Sequence, residues 1–236
     1  MRPTAPQLVF IPGLAADARM WRAQTEALAD WRPVVTDAHT PQDSIESMAA
    51  ALLAHHAGEL LLCGASMGGM VAMEAARQAP GRVRGLALLG TNARPETPEM
   101  HALRDAAIRL FAQGRVEEVI GPNVALAFHP AQAANAALVQ AYLGFVLEAG
   151  ADTLIRQNHA VMARPDARRH LPSVCCATLV MCGEGDQLTP PECSREIAGL
   201  VRGAELVLVP ECGHMLTMEK PDAVNTALIG WLHALG

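Results

Sequence analysis

A chain of 236 residues that is 51% hydrophobic and 18% charged can bury one large core, and it is too apolar to be a disordered chain. Its formal net charge of −6 argues against a nucleic-acid partner, since the one basic cluster, Arg164, Arg168, Arg169 and His170, is short, interrupted by Pro165 and Asp166, and reads as a solvated face. The start, Met1-Arg2-Pro3-Thr4-Ala5-Pro6, leads directly into a short apolar run without the features of a signal peptide, and no apolar stretch approaches the roughly 20 residues that cross a bilayer. A cytoplasmic protein with no membrane partner is the expectation.

Short apolar runs bounded by Gly, Pro or Asp alternate with longer amphipathic segments, the pattern of β-α units on a parallel sheet. In chain order the pattern predicts a strand over 8–11, a helix over 18–29, a strand over 34–36 and a helix over 44–57, with Asp43-Ser44 supplying capping oxygens. A strand over 60–63, a helix over 68–79 and a strand over 85–89 follow. The alternation then stops, and 92–172 reads as a helical insertion punctuated by Gly114, Gly121-Pro122, His129-Pro130 and Gly150. It resumes with strands over 178–182 and 205–209 and helices over 192–200 and 222–234, where Pro190-Pro191 and Pro221 suit first helical turns. The fold class is α/β: a mostly parallel, doubly wound sheet of about six strands in a single 1–236 domain, with the 92–172 insertion lying over its C-terminal edge as a cap.

The six cysteines contain no C-x-x-C pair and read as reduced packing residues, and neither cysteine nor histidine spacing matches a zinc site. No metal and no cofactor is expected. Outside His214, the histidines, His39 among them, read as surface or satisfied residues.

The sharpest local signal is Gly64-Ala65-Ser66-Met67-Gly68, between an apolar strand and a helix. A Gly-x-Ser-x-Gly turn in that setting holds serine in a strained conformation with its hydroxyl above the sheet edge, while the following helix aims N–H groups at the space beside it. A hydroxyl is a poor nucleophile until a base takes its proton. Two loops beyond strand ends offer the partners: Gly183-Glu184-Gly185-Asp186 places an acid at Asp186, and Cys212-Gly213-His214 places an imidazole at His214. The order Ser66, Asp186, His214 suits a triad on this topology.

On the elbow Gly-Ala-Ser-Met-Gly-Gly, the acid loop Gly-Glu-Gly-Asp-Gln-Leu-Thr-Pro and the Cys-Gly-His loop followed by Glu219-Lys220-Pro221, the chain resembles the α/β-hydrolase fold superfamily, in its serine esterase and thioesterase branch. The resemblance implies that Ser66 attacks a carbonyl, His214 moves the proton and Asp186 fixes the imidazole. It further implies an oxyanion hole made by the backbone N–H groups of Met67 and Leu14, although Pro12 stands where the family commonly has histidine. Leu14, Phe128, Leu143 and Phe145 are the candidates for an apolar substrate pocket. The implied partner is a small-molecule ester or thioester. C–C bond hydrolysis, lyase or perhydrolase chemistry on the same triad, and a low-turnover ligand binder, remain open alternatives, as does oligomeric state.

Overall fold

The computed structural model describes residues 5–235; Met1–Thr4, part of the stretch read as lacking the features of a signal peptide, lie outside them. Six parallel strands form one sheet: β1 (Gln7–Ile11), β2 (Val34–Val35), β3 (Leu60–Ala65), β4 (Val83–Leu89), β5 (Ala177–Gly183) and β6 (Glu205–Val209), in the order β2-β1-β3-β4-β5-β6. Every residue of β3 is buried, as a central parallel strand covered on both faces requires. The two-residue repeat splits its side chains, so that Leu61 and Cys63 join Leu8, Phe10 and Met181 on one face while Leu60 and Leu62 join Val9, Ile11 and Val180 on the other.

Among the described residues ten helices accompany the strands: α1 (Arg22–Ala27), α2 (Ile45–His55), α3 (Met67–Gln78), α4 (Pro98–Phe111), α5 (Val116–Ala127), α6 (Pro130–Ala133), α7 (Ala136–Met162), α8 (Pro191–Leu200), α9 (Leu216–Glu219) and α10 (Pro221–Ala234). Helices α2, α3 and α8 cover one face through Met48, Leu52, Val71 and Ile197, and α10 covers the other through Leu228 and Trp231. Ser44 caps α2 as its residue type foretells, accepting from Ser47 N–H at 3.1 Å while Ser47 Oγ accepts from Ser44 N–H at 3.1 Å.

Several details differ from the sequence pattern. The helix expected over 18–29 is broken into a 3₁₀ turn, Ala18–Trp21, the short α1, and a second turn, Ala29–Trp31. Trp21 stacks flat on Phe10 with ring centroids 4.6 Å apart, and seating it in the core sets the local path in place of continuous helix. Pro122 lies inside α5 without ending it, because the carbonyl it leaves unbonded, that of Glu118, is on an exposed residue open to water. His39 is neither on the surface nor satisfied: it is 1% exposed, and both ring nitrogens lack hydrogen-bond partners among the described residues. Burial pushes its pKa down to about 4. Finally, α7 is long and apolar enough by composition to cross a bilayer, although Gly150 (φ 77°) kinks it and side chains on its C-terminal part bond to other segments of the chain.

The basic cluster is a solvated face only in part: Arg169 is exposed and Arg168 and His170 are half-buried, whereas Arg164 is not solvated. Arg164 is buried, and its guanidinium and that of Arg104 on α4 both grip Glu96, with Arg104 Nε 2.6 Å and Arg164 Nη1 3.0 Å from Glu96 Oε2. Arg164 Nε also donates to the Arg94 carbonyl, and Arg104 Nη1 donates to Asn158 Oδ1 on α7. The segments that leave β4 and return toward β5 are thereby tied to one another and to the insertion. Burial alone would raise the Glu96 pKa; the two guanidinium groups outweigh it and hold the carboxyl below its usual value.

A depressed carboxyl pKa contributes stability that is complete above the unfolded value and lost as pH falls through the folded one. Glu96→Gln takes the counter-charge from two guanidinium groups, one of them buried, and is expected to cost about 3 kcal/mol in urea unfolding at pH 7. The difference from wild type is expected to shrink as pH falls below the usual glutamate range, where wild-type Glu96 comes to protonate as well.

Candidate active site

Ser66 closes β3 and precedes α3 with φ 53° and ψ −118°, a conformation disfavoured for a residue with a β-carbon. The turn is possible because Gly64 and Gly68 are glycines: a β-carbon on Gly64 would overlap the backbone of Gly68, and one on Gly68 would overlap the Ile11 carbonyl and lie 2.7 Å from that of Pro12. Ser66 N–H donates to the Leu89 carbonyl at 2.9 Å, and its own carbonyl accepts from Thr91 Oγ1 at 2.7 Å, so the β4 end clamps the turn. The Ser66 hydroxyl makes no helix-capping bond.

That hydroxyl instead stands 3.0 Å from His214 Nε2. The His214 Nδ1 lies 2.8 Å from Asp186 Oδ2. Asp186, on the loop after β5, is itself fixed: Oδ1 accepts from Leu188 N–H and Thr189 N–H, each at 2.9 Å, and Oδ2 accepts from Thr189 Oγ1 at 2.8 Å. Burial acts to raise its pKa, but the imidazole and these donors prevail and keep the carboxyl below its usual range, hence ionised near neutral pH. An ionised acid accepts from Nδ1–H and leaves the Nε2 lone pair facing the serine, the tautomer a proton acceptor needs.

The loop after β1 passes directly beside this serine. A β-carbon on Gly13 would lie 3.3 Å from Ser66 Cβ and 4.0 Å from Ser66 Oγ. Among the described residues neither Leu14 N–H nor Met67 N–H has an acceptor within the chain, and Met67 opens α3, where the helix dipole is positive. Phe128 and Phe145 are fully buried and pack edge-on against Tyr142 from either side, with centroids 5.4 and 5.5 Å away, and Leu14 and Leu143 are partly buried against the same cluster. Cys63 and Cys212 are buried, and burial pushes both thiols up, which leaves them protonated.

Some residues that shape the site escaped notice in the sequence. Glu219 is buried and its carboxylate accepts from Gly213 N–H and Met215 N–H at 3.1 Å and from His129 N–H at 2.8 Å, holding the histidine loop on both sides of His214 and tying it to the insertion. The amides of His214 and Met215 both donate to the Ala127 carbonyl at the end of α5. Glu219 stood within a quoted motif and Thr189 three residues after Asp186, a spacing suited to side-chain capping, but nothing local revealed their partners.

A family model described as the alpha/beta hydrolase fold matches residues 6–221. The chain belongs to that family. Among its relatives, "Putative carbamate hydrolase RutD" of Klebsiella pneumoniae is 27% identical, with 99% of this chain and 93% of that protein covered. The pimeloyl-[acyl-carrier protein] methyl ester esterase of Nitrosomonas europaea is 25% identical, with 92% of each chain covered. Among solved structures, a thermophilic esterase from Thermogutta terrifontis, described as malate bound, superposes with a TM-score of 0.89 at 27% identity, covering 99% of this chain and 91% of that one. These alpha/beta hydrolase relatives are named as hydrolases, and together with the shared fold they support enzymatic hydrolysis for this chain.

Glu219→Ala would take the carboxylate from three amides and leave those of Gly213 and His129 without an acceptor, while that of Met215 keeps the Ala127 carbonyl. We expect a loss of about 3 kcal/mol, read as a lower urea midpoint at unchanged slope, because each bond to a charged acceptor is worth roughly 1.5–3 kcal/mol and water recovers part of it.

Proposed function

We propose that the protein is a cofactor-independent serine hydrolase that cleaves a small-to-medium carboxylic ester or thioester through an acyl-enzyme. The observation that carries this reading is the continuous chain from Ser66 Oγ through His214 to Asp186, at 3.0 and 2.8 Å, with the Leu14 and Met67 amides free beside it. Ser66 Oγ attacks the substrate carbonyl while His214 Nε2 takes its proton, and the imidazolium is stabilised by ionised Asp186. The carbonyl oxygen, now negative, is held by the two N–H groups and the α3 dipole. Collapse expels the alcohol or thiol, which receives the proton from His214, and leaves Ser66 acylated. Water then gives a proton to His214, attacks the acyl carbon and releases the acid.

The insertion over 92–172 acts in this reading as a cap on the site, supported by its bonds to the histidine loop. We assign Leu14, Phe128, Leu143 and Phe145, which belong to one apolar cluster, to the wall of the substrate pocket. Arg19, Arg104 and Arg164 each pair with carboxylates of the chain itself, which favours a neutral acyl group over an anionic one. All six cysteines are free, which suits a reducing, cytoplasmic setting.

A fluorophosphonate probe read by intact mass tests the nucleophile: wild type is expected to gain one adduct and Ser66→Ala none. On a panel of p-nitrophenyl esters and acyl thioesters, Ser66→Ala is expected to lower kcat by up to about 10⁶-fold and Asp186→Asn by about 10⁴-fold, the latter through loss of the imidazole tautomer. An unlabelled wild type with no turnover across the panel overturns the reading.

A further inference from the structure

Where the chain turns over Ser66, four consecutive amides follow β1, and three are engaged. Gly13 N–H reaches the Met20 sulfur at 3.4 Å, Ala15 N–H donates to Gln157 Oε1 at 2.7 Å, and Ala16 N–H closes onto the Gly13 carbonyl at 3.2 Å. Leu14 N–H, between the sulfur contact and the glutamine bond, is the free one. Ala15 has φ 54°, a left-handed conformation that its β-carbon disfavours, so this turn needs to be held from outside. Apart from the Ala16–Gly13 bond the segment has nothing of its own to hold it: Pro12 stands where the family commonly has histidine, and from Ile11 to Ala16 there is no polar side chain. Gln157 supplies the short bond from α7, 142 residues away, and is only 1% exposed. Its neighbour Arg156 donates to the Thr40 carbonyl from Nε and Nη2 at 3.2 and 3.1 Å, so this turn of α7 is fastened to two loops of the sheet at once.

We propose that Gln157 is a positioning residue for the oxyanion hole: by fixing the Ala15 peptide it sets the direction of Leu14 N–H, and the insertion thereby completes the catalytic apparatus as well as covering it. The inference rests on the serine-hydrolase reading above. Because Gln157 bonds a backbone amide of the loop, its removal should act on the state in which the carbonyl oxygen is negative and spare ground-state binding. A donor displaced by about 1 Å is enough to cost on the order of 100-fold.

The test uses the full chain with Gln157→Leu and the equally long, unbranched Gln157→Met, each first checked for a cooperative thermal transition, so that one folded variant suffices. On p-nitrophenyl butyrate, kcat is expected to fall 10–100-fold with KM within about twofold of wild type. An alkyl trifluoromethyl ketone, whose serine hemiketal carries the oxyanion, is expected to inhibit more weakly by a similar factor. Arg156→Met, which cuts the neighbouring strap without touching the Ala15 bond, is expected to keep kcat within about threefold. A folded Gln157 variant that retains wild-type kcat and ketone affinity, while wild type still forms the fluorophosphonate adduct, overturns the positioning role and leaves the hydrolase reading intact. A loss matched by Arg156→Met reduces Gln157 to general packing and also overturns it, and a wild type with neither adduct nor turnover overturns both.

Discussion

The structure is organised around the close approach of backbones at the Ser66 turn. Gly64 packs on Gly68, Gly68 packs on the carbonyls of Ile11 and Pro12, and Gly69 packs on Thr91, so β1, β3, α3 and the end of β4 meet within the van der Waals radius of a missing methyl group. Holding serine at φ 53° costs on the order of 1–3 kcal/mol, which the surrounding sheet and the Leu89 and Thr91 bonds offset. The reward for the strain is geometric: a hydroxyl excluded from helix capping, raised above the sheet, at the positive end of α3.

Around that fixed point the remaining groups are held by bonds to rigid partners. Asp186 is locked by two amides and the Thr189 hydroxyl, and the histidine loop is strung from the Glu219 carboxylate and the Ala127 carbonyl. The loop beside the serine is pinned by Gln157. The last two tethers reach into the insertion, whose own entry and exit are joined by the Glu96 pair with Arg104 and Arg164. The insertion is therefore continuous, through hydrogen bonds, with the groups that surround Ser66, and changes in its position are coupled to their geometry.

Local chemistry made much of this legible in advance. Parallel strands buried on both faces appear as short unbroken apolar runs, so all six were found, with β3, β4 and β5 each two residues longer than expected, β1 one longer and β2 one shorter. Ser66, Asp186 and His214 were legible because each sits in a loop whose glycines and position after a strand are local properties. What was illegible depends on distant partners. The 18–29 segment carries helical periodicity, yet Trp21 stacking on Phe10 sets its path; Arg164 looks solvated until Glu96 meets it; and His39 gives no sign in its neighbours that it will be buried without a partner.

Turn chemistry and hydrophobic period act over a few residues, and they alone specify the strand and helix alternation, the elbow that strains Ser66, and the order in which an acid and a histidine follow it. That these three side chains stand within hydrogen-bond reach, and that Glu219 and Gln157 hold the neighbouring loops, follows from long-range packing. A buried carboxylate or amide takes its meaning from the N–H groups it meets, and for Gln157 that donor lies 142 residues away, beyond any local pattern.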